Sequence, residues 1–364
     1  MKLSMNDKNA WHPLNSIYLY LTDRCNLRCR HCWIEPLYYE GREDNNDEFD
    51  LKFLKKAIGD AKEIGLNCVK LTGGEPFLRK DIIDIIEYLH AQSITVDIET
   101  NGTLINKEIV EVLEANGVNQ VSVSLDSMTA EQHETFRGVK GCYHDAMRGL
   151  SLLAESGINT QIIMTLYKEN VSEIERLVGF SSQMGVESLK INPVMPTGRG
   201  KKFFENKNNV EFDDLIKIDR WIEEELVSKY NVDIHFDIPI GLKSLKCIRT
   251  RQLFECNILN IIGILSDGTI SLCGIGQTET ALNMGNIAVD DIREVWVNNP
   301  ILRKLREDIP RNLEGICGRC IFKFRCRGAC RACAYGLTGS LNSPFFVCHE
   351  AYEKGLFLES RMIN

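Results

Sequence analysis

No stretch of this chain approaches the ~20 consecutive apolar residues that a membrane-spanning helix needs. The N-terminal MKLSMNDKNAWHP is polar and lacks the apolar core of a secretory signal. These two absences predict a cytoplasmic protein with no membrane partner. Positive charge is also short: 43 Lys and Arg stand against 51 Asp and Glu, a formal net charge of −8. That balance argues against a general nucleic-acid binder. No repeat recurs at solenoid spacing. Cysteine is what the chain has in excess, with 14 in 364 residues. In a reducing compartment so many thiols argue for metal ligation rather than disulfides, and for a setting protected from oxygen.

The length suffices for a large core and two domains. Hydrophobic residues make up 44% and charged residues 26%, as in ordinary soluble proteins. The charge is uneven, since residues 301–364 hold 11 Lys and Arg against 6 Asp and Glu. Much of that basic excess lies between Arg311 and Arg331, among cysteines. Cations there would balance groups bound by anionic thiolates; a solvated basic face reads equally well.

Cys25, Cys29 and Cys32 stand at C-x3-C-x2-C spacing just after the apolar run Ile17-Tyr18-Leu19-Tyr20-Leu21. The run reads as a strand, so the thiols occupy the loop at its C-terminal end. A short loop lets three thiolates converge, and thiolates are the usual protein ligands of iron–sulfur clusters. Three ligands leave one iron of a [4Fe–4S] cube open to substrate or cofactor, as catalytic zinc sites keep an open position. The bland alternative is a structural zinc loop or three unrelated buried cysteines. The spacing resembles the signature of the radical S-adenosylmethionine (SAM) superfamily. That resemblance implies SAM as cofactor, its methionine on the open iron, and an electron that cleaves its sulfonium to a 5′-deoxyadenosyl radical.

Downstream, strands are predicted at 68–71, 94–99, 120–125, 159–166 and 188–191. Helices alternate with them at 51–64, 80–91, 106–115, 143–155 and 171–184. The acidic stretch 35–50 lacks periodicity and reads as a loop or lid. Six strands separated by helices indicate a parallel sheet with crossover helices. The resemblance implies an α/β fold in which residues 16–200 form a partial (β/α)6 TIM-like barrel; periodicity alone suits a doubly wound sheet equally well. Residues 1–15 are an N-terminal segment, 201–245 a linker with a bridging helix at 213–228, and 246–364 a cysteine-rich domain.

Gly73-Gly74-Glu75-Pro76 follows the second strand, where glycines permit close backbone approach. The resemblance implies that this motif meets the methionine amino group of SAM. It likewise gives Asn101 and Ser122 or Ser124 to the ribose or carboxylate. Arg137 would pair with the methionine carboxylate, which a guanidinium fork suits better than a lysine does. His31 fills a slot that is usually aromatic, where a backbone carbonyl contacts adenine, and Trp33 joins the same cofactor-binding set. Val194 and Met195 match the segment that brackets adenine. Taken singly, each of these residues reads equally well as part of a turn, strand or surface. Cys68 and Cys142 lack partners at ligand spacing and read as small buried hydrophobes.

Cys256, Cys273, Cys317-x2-Cys320-x5-Cys326-x3-Cys330 and Cys348 resemble the seven-cysteine pattern of the SPASM domain, an auxiliary iron–sulfur domain. The resemblance implies two auxiliary [4Fe–4S] clusters, three clusters in all. Cys317, Cys320, Cys326 and Cys348 would close the outer one. Cys256, Cys273 and Cys330 would hold the inner one, with Cys247 as candidate fourth ligand or as a catalytic thiol that donates a hydrogen atom. Cys333 has no assigned role. Gly274 stands where the sulfatase-maturing branch places an Asp base, which argues against formylglycine formation. Little chain precedes the first strand, so a leader peptide would be held by a separate protein or by the barrel mouth. The function expected is an oxidoreductase-type maturation of a ribosomally synthesised peptide (RiPP) by crosslink, thioether or epimerisation, fed by flavodoxin or ferredoxin. The alternatives are radical modification of a small cofactor precursor such as a tetrapyrrole, or a non-catalytic iron–sulfur carrier or scaffold.

Overall fold

The computed structural model describes residues 12–39, 41, 48–251, 253 and 255–363; part of the 35–50 loop expectation lies outside them. Alternation along the strands sets the architecture. Ile17, Leu19, Val69, Leu71, Val96, Ile98, Val121 and Val123 are all buried. Residues one step out of phase point to the opposite face. In cross-strand register these are polar: Tyr18 faces Lys70, Lys70 faces Asp97, Glu99 faces Ser122 and Ser122 faces Gln161. Helices therefore cover one face of the sheet, and the other lines a polar lumen.

The six barrel strands are β1 (Ser16–Tyr20), β2 (Cys68–Thr72), β3 (Thr95–Thr100), β4 (Gln120–Ser124), β5 (Asn159–Leu166) and β6 (Ser188–Pro193). They pair parallel in sequence order. Two more parallel strands extend this row. β7 (Asp233–Phe236) adds to β6, within the stretch read from sequence as a linker. β8 (Ile261–Ile264) pairs with the free side of β1. β9 (Thr269–Ser271) and β10 (Asn283–Asn286) continue antiparallel, giving one ten-stranded open sheet.

The added strands are short: β7 alternates over only four residues, and all four residues of β8 are buried, so it shows no alternation to read. The helix Ala130–Arg137 also escaped the periodicity, its apolar content being low. The bridging helix begins at Phe212 and passes through a π-turn, Ile222–Leu226, before ending at Lys229. Among the described residues, no helix is long and apolar enough to cross a membrane.

Candidate active site

The 25–32 loop sits at the C-terminal end of β1, clamped by three other loops. Gly74 and Glu75 donate their N–H groups to Thr22 O and Arg24 O, both at 2.8 Å. Arg28 and Arg30 donate to Arg137 O and Phe136 O at 3.0 Å, and Arg199 donates to Cys32 O at 3.0 Å. The approach is too close for side chains: a Cβ on Gly74 would lie 1.9 Å from Arg24 O, and one on Gly198 2.4 Å from Trp33 O. The two glycines of Gly73-Gly74-Glu75-Pro76 thus let the motif lie against the chain that feeds the cysteine loop.

Burial raises the thiols of Cys25, Cys29 and Cys32, and neighbouring Glu75 raises Cys25 further. All cysteines are free of disulfides. Buried neutral thiols that repel one another as thiolates become ligands when a cationic group replaces their protons. The donor set fits an iron–sulfur cluster. Among the described residues, no three His, Cys, Asp or Glu side chains converge at single-ion distances. A four-iron cube spaces its thiolates more widely than one zinc ion does.

Glu75 is fully buried, and its carboxylate accepts from Thr100 Oγ1 (2.7 Å), Asn101 N (2.8 Å) and Phe77 N (3.3 Å). Burial pushes its pKa up to about 7 against those three donors. Its side chain therefore ties its loop to the end of β3. Pro76 begins the short helical turn Pro76–Leu78. Asn101 Nδ2 donates to Asn26 Oδ1 at 2.8 Å and lies 3.9 Å from Cys25 Sγ.

Arg137, at the end of the helix Ala130–Arg137, gives its fork to Asp126 and points Nη1 at Cys29 Sγ, 3.7 Å away. The expected partner for that fork was the methionine carboxylate; a protein carboxylate already holds two of its nitrogens. His31 stacks on Phe136 at 4.3 Å, and Phe136 stacks on Tyr167 at 4.3 Å. Burial pushes the His31 pKa down to about 3, so the ring is neutral. Trp33 lies edge-on to Tyr20. Ser122 Oγ donates to Gln161 Oε1 at 3.2 Å in the lumen, and Ser124 ends β4 half-buried. Val194 and Met195 line a cavity with Phe204, Phe212 and Asp237. Cys142 packs against Cys25, Leu27 and Cys29.

The structure also gathers the C-terminal thiols into two groups. Cys317, Cys320, Cys326 and Cys348 line one cavity with Gly241 and Phe357. Backbone N–H groups of Phe345 and Phe322 point at Cys317 Sγ and Cys320 Sγ, at 3.3 and 3.4 Å. A hydrogen bond from Cys348 lowers Cys317 and raises Cys348.

Cys256, Cys273 and Cys330 form the second group: Cys330 raises the thiols of both others, and Cys256 also raises Cys273. Crowding by surrounding protein pushes Cys256 up to about 12. Cys247 is not among the charges that act on these three thiols. Its buried thiol bonds Glu223 beside the Lys243–Asp219 ion pair of 2.6 Å. A second candidate is Asp237, at the end of β7, whose charge raises both Cys256 and Cys330. Arg331 is fully buried and its charge is felt by Cys317, Cys326, Cys330 and Cys333. Neither Asp237 nor Arg331 stands in a cysteine motif that would have assigned it a role from sequence; only the basic composition of 311–331 hinted at the second.

Residues 19–180 match the radical SAM superfamily, and residues 256–321 match SPASM, an iron–sulfur cluster-binding domain. An AdoMet-dependent heme synthase of Methanosarcina barkeri is 32% identical over 336 residues, covering 88% of this chain and 91% of that protein. The mycofactocin maturase MftC of Mycobacterium ulcerans is 28% identical over 336 residues, covering 91% of this chain and 87% of that protein. The crystal structure of Streptococcus suis SuiB bound to S-adenosylmethionine shares the fold, with a TM-score of 0.73 at 21% identity over 93% of this chain and 77% of that one. Motifs, sheet and thiol groups agree with these matches, and the chain belongs to the radical SAM superfamily, as a partial-barrel enzyme with a C-terminal SPASM domain.

Proposed function

We propose that this radical SAM enzyme oxidatively matures a ribosomally synthesised peptide, forming a crosslink, thioether or epimerised centre. The observation that carries the reading is that two thiol groups reach one lumen. Tyr20 packs against Cys32 on one side, and its phenol is raised by burial and then by Cys273 on the other. Tyr18 beside it is raised by burial and also feels Cys256. A hydrogen-abstracting centre and a second redox centre on one cavity suit an oxidation.

Cys25, Cys29 and Cys32 would hold a [4Fe–4S] cluster, which with bound SAM would supply radical hydrogen abstraction. Gly73, Gly74, Asn101, Ser122, Ser124, Val194 and Met195 would cradle the cofactor. Arg137 steadies the sulfur of Cys29, and the aromatic stack under His31 keeps that wall dry. The three thiol sets together would hold about twelve irons.

The maturase relatives and the shared fold with SuiB, solved also with its precursor peptide SuiA, support the peptide class. The higher identity to the heme synthase favours a second reading, oxidation of a haem precursor. Anaerobically reconstituted protein with SAM and dithionite is the test, supplied in turn with a precursor peptide encoded beside it and with an iron porphyrin bearing propionates. A mass change in the peptide alone supports the proposal. A mass change in the porphyrin alone transfers it to the second reading, and no 5′-deoxyadenosine in any mixture would leave the non-catalytic carrier.

A further inference from the structure

Arg306 carries a charge that the fold gives no anion. It lies half-buried on the helix Pro300–Asp308, its guanidinium 4.1 Å over the ring of Trp296, with Nη1 donating to Trp296 O at 2.7 Å. Nε and Nη2, on the opposite edge, are closed off from solvent and have no hydrogen-bond partner among the described residues. Burial alone pushes the group down to about 10, and no carboxylate among the described residues pairs with it. A buried charge without a counter-charge is costly, and native folds supply one.

Three other arginines of this chain show what that edge binds. Arg79 gives Nε and Nη2 to the two oxygens of Asp81 at 2.6 and 3.2 Å. Arg293 gives them to the two oxygens of Asp291 at 3.0 and 2.7 Å. Arg137 grips Asp126 by the same edge. Each time two parallel N–H groups meet two oxygens of one anion. Arg306 offers the same pair of donors, buried.

Further cations stand at this corner, at the approach to β1 and away from the 25–32 loop at that strand's other end. Trp296 Nε1 donates to His12 O at 2.8 Å, and the His12 ring is held below its ordinary 6.5 by burial, then by Arg306 and Arg327. Arg327 bonds Asn257 Oδ1. Asn260 N–H donates to Asn257 O at 2.8 Å, and Asn260 Nδ2 donates to Pro13 O at 2.8 Å, which ties Arg327 to the chain beside His12. Glu255 is an acid on this side, and it feels Arg325 and Arg327 rather than Arg306.

We propose that Arg306 anchors a binding site for a small oxyanion the size of inorganic phosphate, held by Nε and Nη2, with Arg327 and His12 adding positive charge. Closure of the edge from solvent restricts the occupant to a few atoms. Three cationic groups favour a doubly charged oxyanion over a single carboxylate. Such an anion would pin the start of the barrel to the loop between Cys326 and Cys330, and it is independent of the substrate assigned above.

Holoenzyme reconstituted in phosphate-free buffer tests this, melted against sodium phosphate with sodium chloride holding ionic strength constant. A saturable rise in melting temperature is expected, reproduced by sulfate and only weakly by acetate. Phosphate also stabilises proteins by exclusion from their surface, but that rise does not saturate. Arg306→Gln should abolish the saturable part and, having lost an uncompensated charge, should melt no lower than wild type without phosphate. Arg306→Lys keeps the charge but not the paired donors, so its apparent affinity should fall about tenfold or more. No saturable rise in wild type would overturn the proposal and leave the edge to water. So would a saturable rise that survives in Arg306→Gln, or one given by acetate and not by phosphate. Arg306→Gln melting equally far below wild type in both buffers would make Arg306 a strut against Trp296 and overturn it as well.

Discussion

Arg137 grips Asp126 with both arms of its fork, Nε to Oδ2 at 2.6 Å and Nη2 to Oδ1 at 3.0 Å. Asp126 Oδ1 also accepts the N–H of Thr165 at 2.9 Å, so one carboxylate joins the helix Ala130–Arg137 to β5. Both groups are buried, and removing one partner strands a charge at a cost of about 3–5 kcal/mol. Asp126→Asn is expected to lower the melting temperature by several degrees and to weaken SAM binding, because Nη1 would leave Cys29. Arg137→Lys keeps a charge but loses the fork, so its effect should fall between. Melting curves and SAM titrations check this; unchanged SAM affinity in both variants would reduce the pair to a strut.

Gly74→Ala is the sharpest backbone test. The new methyl group would meet Arg24 O at 1.9 Å, which no rotamer relieves. The variant is expected to lose 5′-deoxyadenosine formation while the four-thiol cavity in the other half keeps its iron. Iron analysis beside product assay separates this from general misfolding.

Acid should loosen the same region through His133. Its Nδ1 accepts the Asp126 N–H at 3.2 Å, and the facing groups are Asp126, Arg137 and the ring of Tyr143. Burial, then Arg137, lowers its pKa from 6.5 to about 4, although Asp126 opposes the shift. Between those values the unfolded chain binds more protons, so stability is complete above pH 6.5 and falls toward pH 4. The loss amounts to about 3 kcal/mol. His133→Gln keeps an acceptor and should flatten that acid limb of melting temperature against pH. An unaltered slope would acquit His133.

Arg331 is expected to set electron affinity in the cysteine-rich half. Its guanidinium donates to Leu341 O at 2.9 Å and Ser343 O at 2.6 Å, and also bonds Gly328 O. It thus fixes a positive charge among thiols of both C-terminal groups. Removing that charge makes reduction harder, by an amount on the order of tens of millivolts. Potentiometric titration of Arg331→Gln, followed by electron paramagnetic resonance, checks the sign; a rise in potential would contradict it.

Cys247 and Asp237 should part company in spectra. Cys247→Ser is expected to leave the iron–sulfur resonances unchanged, since its thiol turns to Glu223. Asp237→Ala should alter the resonance of the group on Cys256, Cys273 and Cys330, because its carboxylate is the acidic side chain that acts on two of them. The opposite pattern would return Cys247 to the inner site.

The barrel was legible because alternation and short ligand spacings are local properties. Asn159–Leu166 can be read directly from its sequence, and three thiols within eight residues need no fold to explain their meeting. What escaped depends on distance along the chain. The resemblance gives the Arg137 fork to a methionine carboxylate, and its pairing with Asp126 becomes visible only when the helix Ala130–Arg137 turns one onto the other. Nothing in its motif announces that the Glu75 side chain, by burial and three donors, also fastens two loops together. Asp237 acquires meaning only when β7 joins the sheet.

The pairing of β1 with β8 bears on biosynthesis. Ser16 is matched with Ile261, so a central strand waits for a neighbour made more than two hundred residues later. Until then β1 presents an open parallel edge, a surface on which nascent chains pair wrongly with one another. A fragment cut before Ile261 would keep that edge for good. It should precipitate rather than persist as a free-standing barrel, which makes the two cysteine-bearing halves one folding unit rather than a catalytic module with a detachable appendix.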